Sequence, residues 1–169
     1  MQQAPNIRLR NLTQTDSEDL ARLANNKKVW DNLRDRMPFP YSIEHAENYI
    51  AMAMTETPAC NFGIVYKDQL CGIIGINLQQ DVYSKSVEIG YWLGEAYWGN
   101  GIATEALRQM TAYVISNFKV VRIFTSVFAN NAASMRVLEK NGYEKEAIFK
   151  KAIFKNGRIL DEHRYAKTI

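Results

Sequence analysis

The order of elements predicts a mixed α+β domain, and three patterns carry that prediction. Helical spacing of apolar residues comes early, three strand-like runs fill the middle, and a helix, a strand, a helix and a hairpin follow. The connections between the middle strands are too short for parallel crossovers, so antiparallel hairpins are expected there. At 169 residues the chain is long enough for one domain with a sizeable core, spanning 1–169.

Ile7 to Leu12 alternates apolar and polar side chains and is expected as a first strand. Thr15-Asp16-Ser17-Glu18 has the form of a capping box, and Leu20, Leu23 and Ala24 supply the apolar side of the helix behind it. A second helix is expected from about Ser42, with Ile43, Ala46, Ile50 and Ala53 or Met54 at helical spacing. Between these helices, Trp30 to Tyr41 is rich in aromatics and proline, a connection able to form one wall of a pocket. Phe62 to Tyr66, Gly72 to Leu78 and Val87 to Leu93 are the three middle strands. In the last of them, alternation puts Val87, Ile89, Tyr91 and Leu93 on one face and Glu88, Gly90 and Trp92 on the other.

A glycine-bearing turn then leads into a long helix, about Gly101 to Asn117. Its seam is Ala103, Ala106, Leu107, Met110 and Val114, and Glu105, Arg108 and Gln109 are placed outward. Val120 to Phe128 is a strand candidate, Asn130 to Lys140 a shorter helix stopped at Asn141-Gly142, and Tyr143 to Ala166 a hairpin turning at Asn156-Gly157.

Composition narrows the function. Hydrophobic residues make up 47% and charged residues 23%, an ordinary globular balance. Met1 to Leu12 lacks the apolar run of a secretory signal and no segment has the ~20 apolar residues of a membrane span, so a cytoplasmic location without membrane attachment is expected. A net charge of +3 without a large basic cluster gives no expectation of direct nucleic-acid binding. Cys60, Cys71, His45 and His163 have no metal-ligand spacing, so no metal is expected, and both cysteines read as reduced, partly buried thiols.

The most informative segment is Tyr97-Trp98-Gly99-Asn100-Gly101-Ile102-Ala103-Thr104-Glu105. It follows a strand and opens a helix. Its glycines permit close backbone approach, and the unpaired amides at the helix start can converge on phosphate oxygens. It is neither a P-loop nor a dinucleotide fingerprint, because the Gly-Lys pair and the required glycine spacing are both missing. Taken alone, the glycines also suit an ordinary ligand-free turn.

The string YWGNGIATEAL, with VEIGYWL before it and NAASMRVLEKNGY after the next strand, resembles the GNAT (GCN5-related N-acetyltransferase) family, in particular its ribosomal-protein N-terminal acetyltransferase branch. The resemblance covers about residues 62 to 150. Trp98 to Ala103 follows the family's Q/R-x-x-G-x-G/A loop, with Trp98 in the Gln/Arg position. It implies a mixed sheet flanked by helices, acetyl-CoA as cofactor, and direct acetyl transfer to an amine. By the same resemblance, Trp98, Gly99, Asn100, Gly101, Ile102, Ala103 and Thr104 hold the cofactor's pyrophosphate, mainly through backbone amides. Backbone groups of Tyr91, Trp92 and Leu93 address the thioester, Asn131 touches the cofactor, and Ser134 lies near the CoA thiol.

Another branch of the family carries a general-acid tyrosine at the place of Leu138, which cannot donate a proton. Ser134 is therefore the candidate for the departing thiolate, and Tyr143 is assigned to packing. Glu88 is the leading candidate to accept the amine proton, directly or through water, with Asp161, Glu162, His163 and His45 as alternatives. Trp30, Phe39, Tyr41 and Trp92 are candidate acceptor contacts, although bulky aromatics also build cores. The branch points to a peptide or ribosomal-protein N-terminal amine, handled by a monomer or homodimer. A small-molecule amine, a non-catalytic acyl-CoA-binding module and a nucleic-acid or ribosome-binding protein are the competing readings.

Overall fold

The computed structural model describes residues 6–169. Seven strands form one mixed sheet in the order β1-β2-β3-β4-β5-β7-β6, and helices flank it, as expected for the α+β class. The strands are β1 (Ile7–Arg10), β2 (Asn61–Tyr66), β3 (Gln69–Leu78), β4 (Ser86–Leu93), β5 (Arg122–Phe128), β6 (Glu144–Lys155) and β7 (Arg158–Thr168). The helices are α1 (Ser17–Ala24), α2 (Lys27–Trp30), α3 (Ile43–Met54), α4 (Ile102–Asn117) and α5 (Ala132–Lys140). The chain divides into two compact parts: residues up to Gly75 with Tyr91–Met110, and Ile76–Gly90 with Thr111–Ile169.

In the first part β1, β2 and β3 pair antiparallel, as their short connections require. Leu12, Leu20, Leu23, Tyr41, Ala46, Ile50, Leu70 and Ile73 form its core, against which Trp92 and Tyr97 pack. Helical spacing explains why these residues meet: Ala46, Ile50 and Ala53 lie along one side of α3 and all are buried. Ser42 caps α3, its Oγ accepting from the His45 amide at 3.3 Å while His45 Nδ1 accepts from the Ser42 amide at 3.0 Å. The capping box expected at Thr15 and Glu18 does not form. The chain turns two residues earlier, where the Thr13 amide donates to Asp16 Oδ2 at 2.9 Å and Arg10 grips both Asp16 oxygens at 2.7 Å. The guanidinium thus fixes Asp16 in the role expected of Glu18, and Glu18 stays exposed.

In the second part β4 pairs parallel with β5 over Ser86–Glu88 against Arg122–Phe124. β5 pairs antiparallel with β7, and β7 with the edge strand β6. The Asn156-Gly157 turn has φ +51° and +71°, the paired left-handed geometry that favours Asn-Gly in a two-residue hairpin. Val87, Ile89, Ile123, Val114, Leu138 and Tyr165 are fully buried.

One element was not anticipated and one expectation is corrected. α2 comes before the Trp30 to Tyr41 connection and ends at its first residue; it is started by Asn26, whose Oδ1 accepts the Lys28 amide at 2.9 Å. Gln109 does not face outward: its amide group donates to the Ile7 carbonyl at 2.8 Å, tying α4 to β1.

Candidate active site

The loop between β4 and α4 is held by its own side chains. The Trp98 indole N–H donates to the Leu93 carbonyl at 2.9 Å, and Asn100 Nδ2 donates to the carbonyls of Trp98 and Tyr97 at 3.0 and 3.3 Å. Glu95 accepts from Asn26 Nδ2 at 2.9 Å and pairs with Lys28, which holds its carboxyl below the usual range. Trp98, standing where the family has Gln or Arg, is thus a brace that closes the loop onto the end of β4. No feature of the sequence signals that bond.

Gly99 and Gly101 sit at φ +75° and +73°, the left-handed region in which a side chain is strained. A Cβ built on either would meet nothing within 4 Å, so the surface beside the loop is open at both positions. α4 begins directly after Gly101, which has no side chain to cap it. The first-turn amides of Ile102, Ala103 and Thr104 precede the first intrahelical bond, from the Glu105 amide to the Gly101 carbonyl at 3.2 Å. Together with the helix dipole, they suit an anion of phosphate type.

Gly72 brings β3 against the end of β4: a Cβ there would stand 2.1 Å from the Trp92 carbonyl oxygen. Trp92 is half-buried on the core of the first part, where Tyr41 is also buried. Trp30 and Phe39 come together as a stacked pair with centroids 5.4 Å apart, and the Trp30 indole N–H donates to the Met37 carbonyl at 2.8 Å. Phe39 is 40% exposed and Tyr41 8%, so of the four aromatics expected at the acceptor Phe39 presents the most surface and Tyr41 chiefly builds the core.

Glu88, Asp161, Glu162 and His163 lie on the second part. Glu88 is half-buried on β4 and in register with Phe124 of β5. Beside Phe124 along β5, Ser126 Oγ donates to Glu162 Oε1 at 2.7 Å and accepts from Arg164 Nε at 2.9 Å, while Arg164 Nη2 donates to the same carboxylate oxygen at 3.2 Å. The Arg164 guanidinium lies over the rings of Phe124 and Phe149, at 5.0 and 5.2 Å from their centroids. Sequence reasoning named Glu162 but missed Ser126 and Arg164. Alternation in β5 and β7 was visible, but the register that joins them was not.

Asn131 caps α5, its Oδ1 accepting the Ser134 amide at 3.1 Å. Leu138 is fully buried, and Tyr143 shares a 2.9 Å hydrogen bond with Thr111; burial raises the Tyr143 phenol to about 12, so its place is in the packing. His45 is used in the α3 cap. His163 is pushed down by burial, and its Nδ1 is buried without a partner. Burial raises Cys71 to about 12 and also raises Cys60, which leaves both thiols protonated at neutral pH. Among the described residues no group of three His, Cys, Asp or Glu side chains is placed to hold a metal, and no helix is long and apolar enough to cross a membrane.

Comparison with known proteins places this arrangement. The chain is 28% identical over 162 residues to the uncharacterized N-acetyltransferase YoaA of Bacillus subtilis (strain 168), covering 94% of this chain and 90% of that protein. It is 32% identical over 108 residues to the ribosomal-protein-serine acetyltransferase of Escherichia coli (strain K12), 64% of this chain and 60% of that one. The chain thus spans less than two thirds of that enzyme's length in the match. Among solved structures, the microcin C7 self-immunity acetyltransferase MccE, in complex with acetyl-CoA and AMP, superposes with a TM-score of 0.83 at 26% identity, covering 96% of this chain and 92% of that chain. Residues 6–144 match the family described as the acetyltransferase (GNAT) domain, and the chain belongs to that family.

Proposed function

We propose that the chain acts as a single acetyl-CoA-dependent N-acetyltransferase domain whose acceptor is the α-amine of a peptide or protein. The start of α4 carries this reading: two glycines at positive φ, with open surface where their side chains would stand, directly before the helix. That geometry fits a pyrophosphate, and the match to the GNAT family supports acetyl-CoA as the donor. Acetyl-CoA brings an activated thioester. Gly99 to Thr104 bind its phosphates through backbone N–H groups, and the Trp98 substitution leaves this intact because its indole is spent on Leu93.

In this reading a backbone N–H within Tyr91–Leu93 polarises the acetyl carbonyl. The β4–β5 ladder covers Ser86–Glu88, and β4 runs on past it to Leu93. Glu88 accepts the amine proton, directly or through one water, and Ser134 steadies the departing thiolate. Glu162 is the second candidate base, with one oxygen already engaged by Ser126 and Arg164. Trp30 and Phe39 line the acceptor side. The likeness to the ribosomal-protein-serine acetyltransferase supports a protein amine.

The test is a screen of amines with product mass measured. It would include free and N-terminally blocked peptides, blocked peptides containing lysine, and small amines. Transfer confined to free N-termini supports the proposal. Efficient acetylation of blocked lysine peptides, or of small amines alone, refutes the acceptor class. Acetyl-CoA binding without transfer to any acceptor replaces the enzyme with a binding module.

A further inference from the structure

We infer that Asp161 is a positioning residue for the start of α5, holding a bulge in β6 with its carboxylate and the β5–α5 turn with its carbonyl. The inference rests on the reading above in one respect, that Ser134 at that start steadies the departing thiolate.

The register of the terminal hairpin shows the bulge. Phe149 pairs with Glu162 and Ile153 with Leu160, so Lys150, Lys151 and Ala152 all stand opposite Asp161. Such an insertion disrupts the ladder and leaves peptide groups to find other partners. Lys151 takes φ +54°, a conformation that L-residues with a Cβ resist, so something must hold it there. Asp161 Oδ1 accepts the Lys151 amide at 2.8 Å and Oδ2 accepts from Lys150 Nζ at 3.1 Å. These bonds hold the Asp161 carboxyl below its ordinary range, the backbone amide being the larger influence.

The backbone of the same residue points the other way. The Asp161 carbonyl accepts the Ala129 amide at 3.0 Å, one residue beyond the end of β5. The Asn131 amide then donates to the Phe128 carbonyl at 2.9 Å, which closes the turn, and Asn131 caps the Ser134 amide. A continuous run of hydrogen bonds therefore links the bulge to the first turn of α5. Lys150 is 75% exposed, so its contribution is screened and the Lys151 bond does most of the holding.

The test compares the full-length wild type with Asp161→Ala, Asp161→Asn and Lys150→Ala. Asp161→Asn keeps an oxygen for the Lys151 amide and loses the charge; Asp161→Ala loses the acceptor. Amide exchange reads the geometry directly: in Asp161→Ala the Ala129 and Ser134 amides should exchange at least about tenfold faster. kcat/KM for acetyl-CoA should fall roughly tenfold, as displacement of a positioned group by a fraction of an ångström implies, with KM for the amine within about twofold. Asp161→Asn and Lys150→Ala should stay near wild type in both measurements. If Asp161→Ala does not fold, adding Lys151→Gly relieves the left-handed strain, and the double variant is measured instead. Unchanged exchange at Ala129 and Ser134, or faster exchange with unchanged kinetics, overturns the inference. A wild type that does not bind acetyl-CoA overturns the enzyme reading separately, and amide exchange still decides the role of Asp161.

Discussion

The starts of α4 and α5 solve the same problem in opposite ways. α5 is closed by a side chain, Asn131 accepting the Ser134 amide, just as Asn26 closes α2 and Ser42 closes α3. α4 follows Gly101 and has no side chain at that place. A cap satisfies one orphan amide and stabilises the helix, so its replacement by glycine is informative where three sister helices keep theirs. α1 also has no side-chain cap but continues from the turn that Thr13 and Asp16 close. In this reading the start of α4 is fitted to an anion while that of α5 presents Ser134. Asn131 can address the donor only with what its capping bond leaves, whereas the loop before α4 offers backbone groups that no substitution of its side chains removes.

In the proposed function Glu88, Glu162 and Ser134 act through side chains, and each can be removed singly. The largest effect is expected from Glu88→Gln. Loss of a general base should lower kcat at least about 100-fold while acetyl-CoA affinity stays within about threefold. If Glu162→Gln produces that fall and Glu88→Gln does not, the two carboxylates exchange roles.

Next comes Asp16, the carboxylate that organises the approach to α1. Asp16→Asn should cost about 2 kcal/mol of stability at pH 7, measured by urea unfolding. Arg10 lowers the folded-state pKa of Asp16, so its contribution is full above the unfolded value near ~3.9 and is lost as pH falls through the lowered one. The gap between the two proteins should therefore narrow below about pH 4. A gap that widens there contradicts the ion-pair account.

Ser134→Ala should reduce turnover by about tenfold, with a much smaller change in acetyl-CoA affinity. A loss confined to affinity would assign Ser134 to binding, and unchanged turnover in a folded protein would remove it from the chemistry. The smallest effect belongs to Asn131→Ala, about 1 kcal/mol of stability from the lost cap. If it abolishes acetyl-CoA binding without destabilising α5, the division between open and closed helix starts is wrong.

What the sequence made legible follows the range of the interactions. α4 and β4 were readable because their periods are local, and Val87, Ile89, Leu107, Met110 and Val114 are buried where those periods put them. The Asn156-Gly157 turn was readable because two positive φ values need those residues. The shift of the capping turn from Thr15 to Thr13 was not, because the long Arg10 side chain decides it. Nor could the sequence show Ser126, Glu162 and Arg164 meeting. Their partners lie up to 38 residues apart, and the register of β5 against β7 brings them together. The loop is legible as a motif, yet its brace, the Trp98 indole on the Leu93 carbonyl, depends on a folded contact that the motif does not encode.

In the proposed function the backbone at the start of α4 holds the donor's phosphates, and calorimetric titration of acetyl-CoA into wild type, Gly101→Val and Asn131→Ala tests this. Valine at φ +73° is strained by ~1–2 kcal/mol and puts carbon where phosphate oxygens would approach. Gly101→Val should therefore bind at least about tenfold more weakly than wild type, with Asn131→Ala within about threefold. Equal affinity of Gly101→Val and wild type, in folded protein, would contradict the claim.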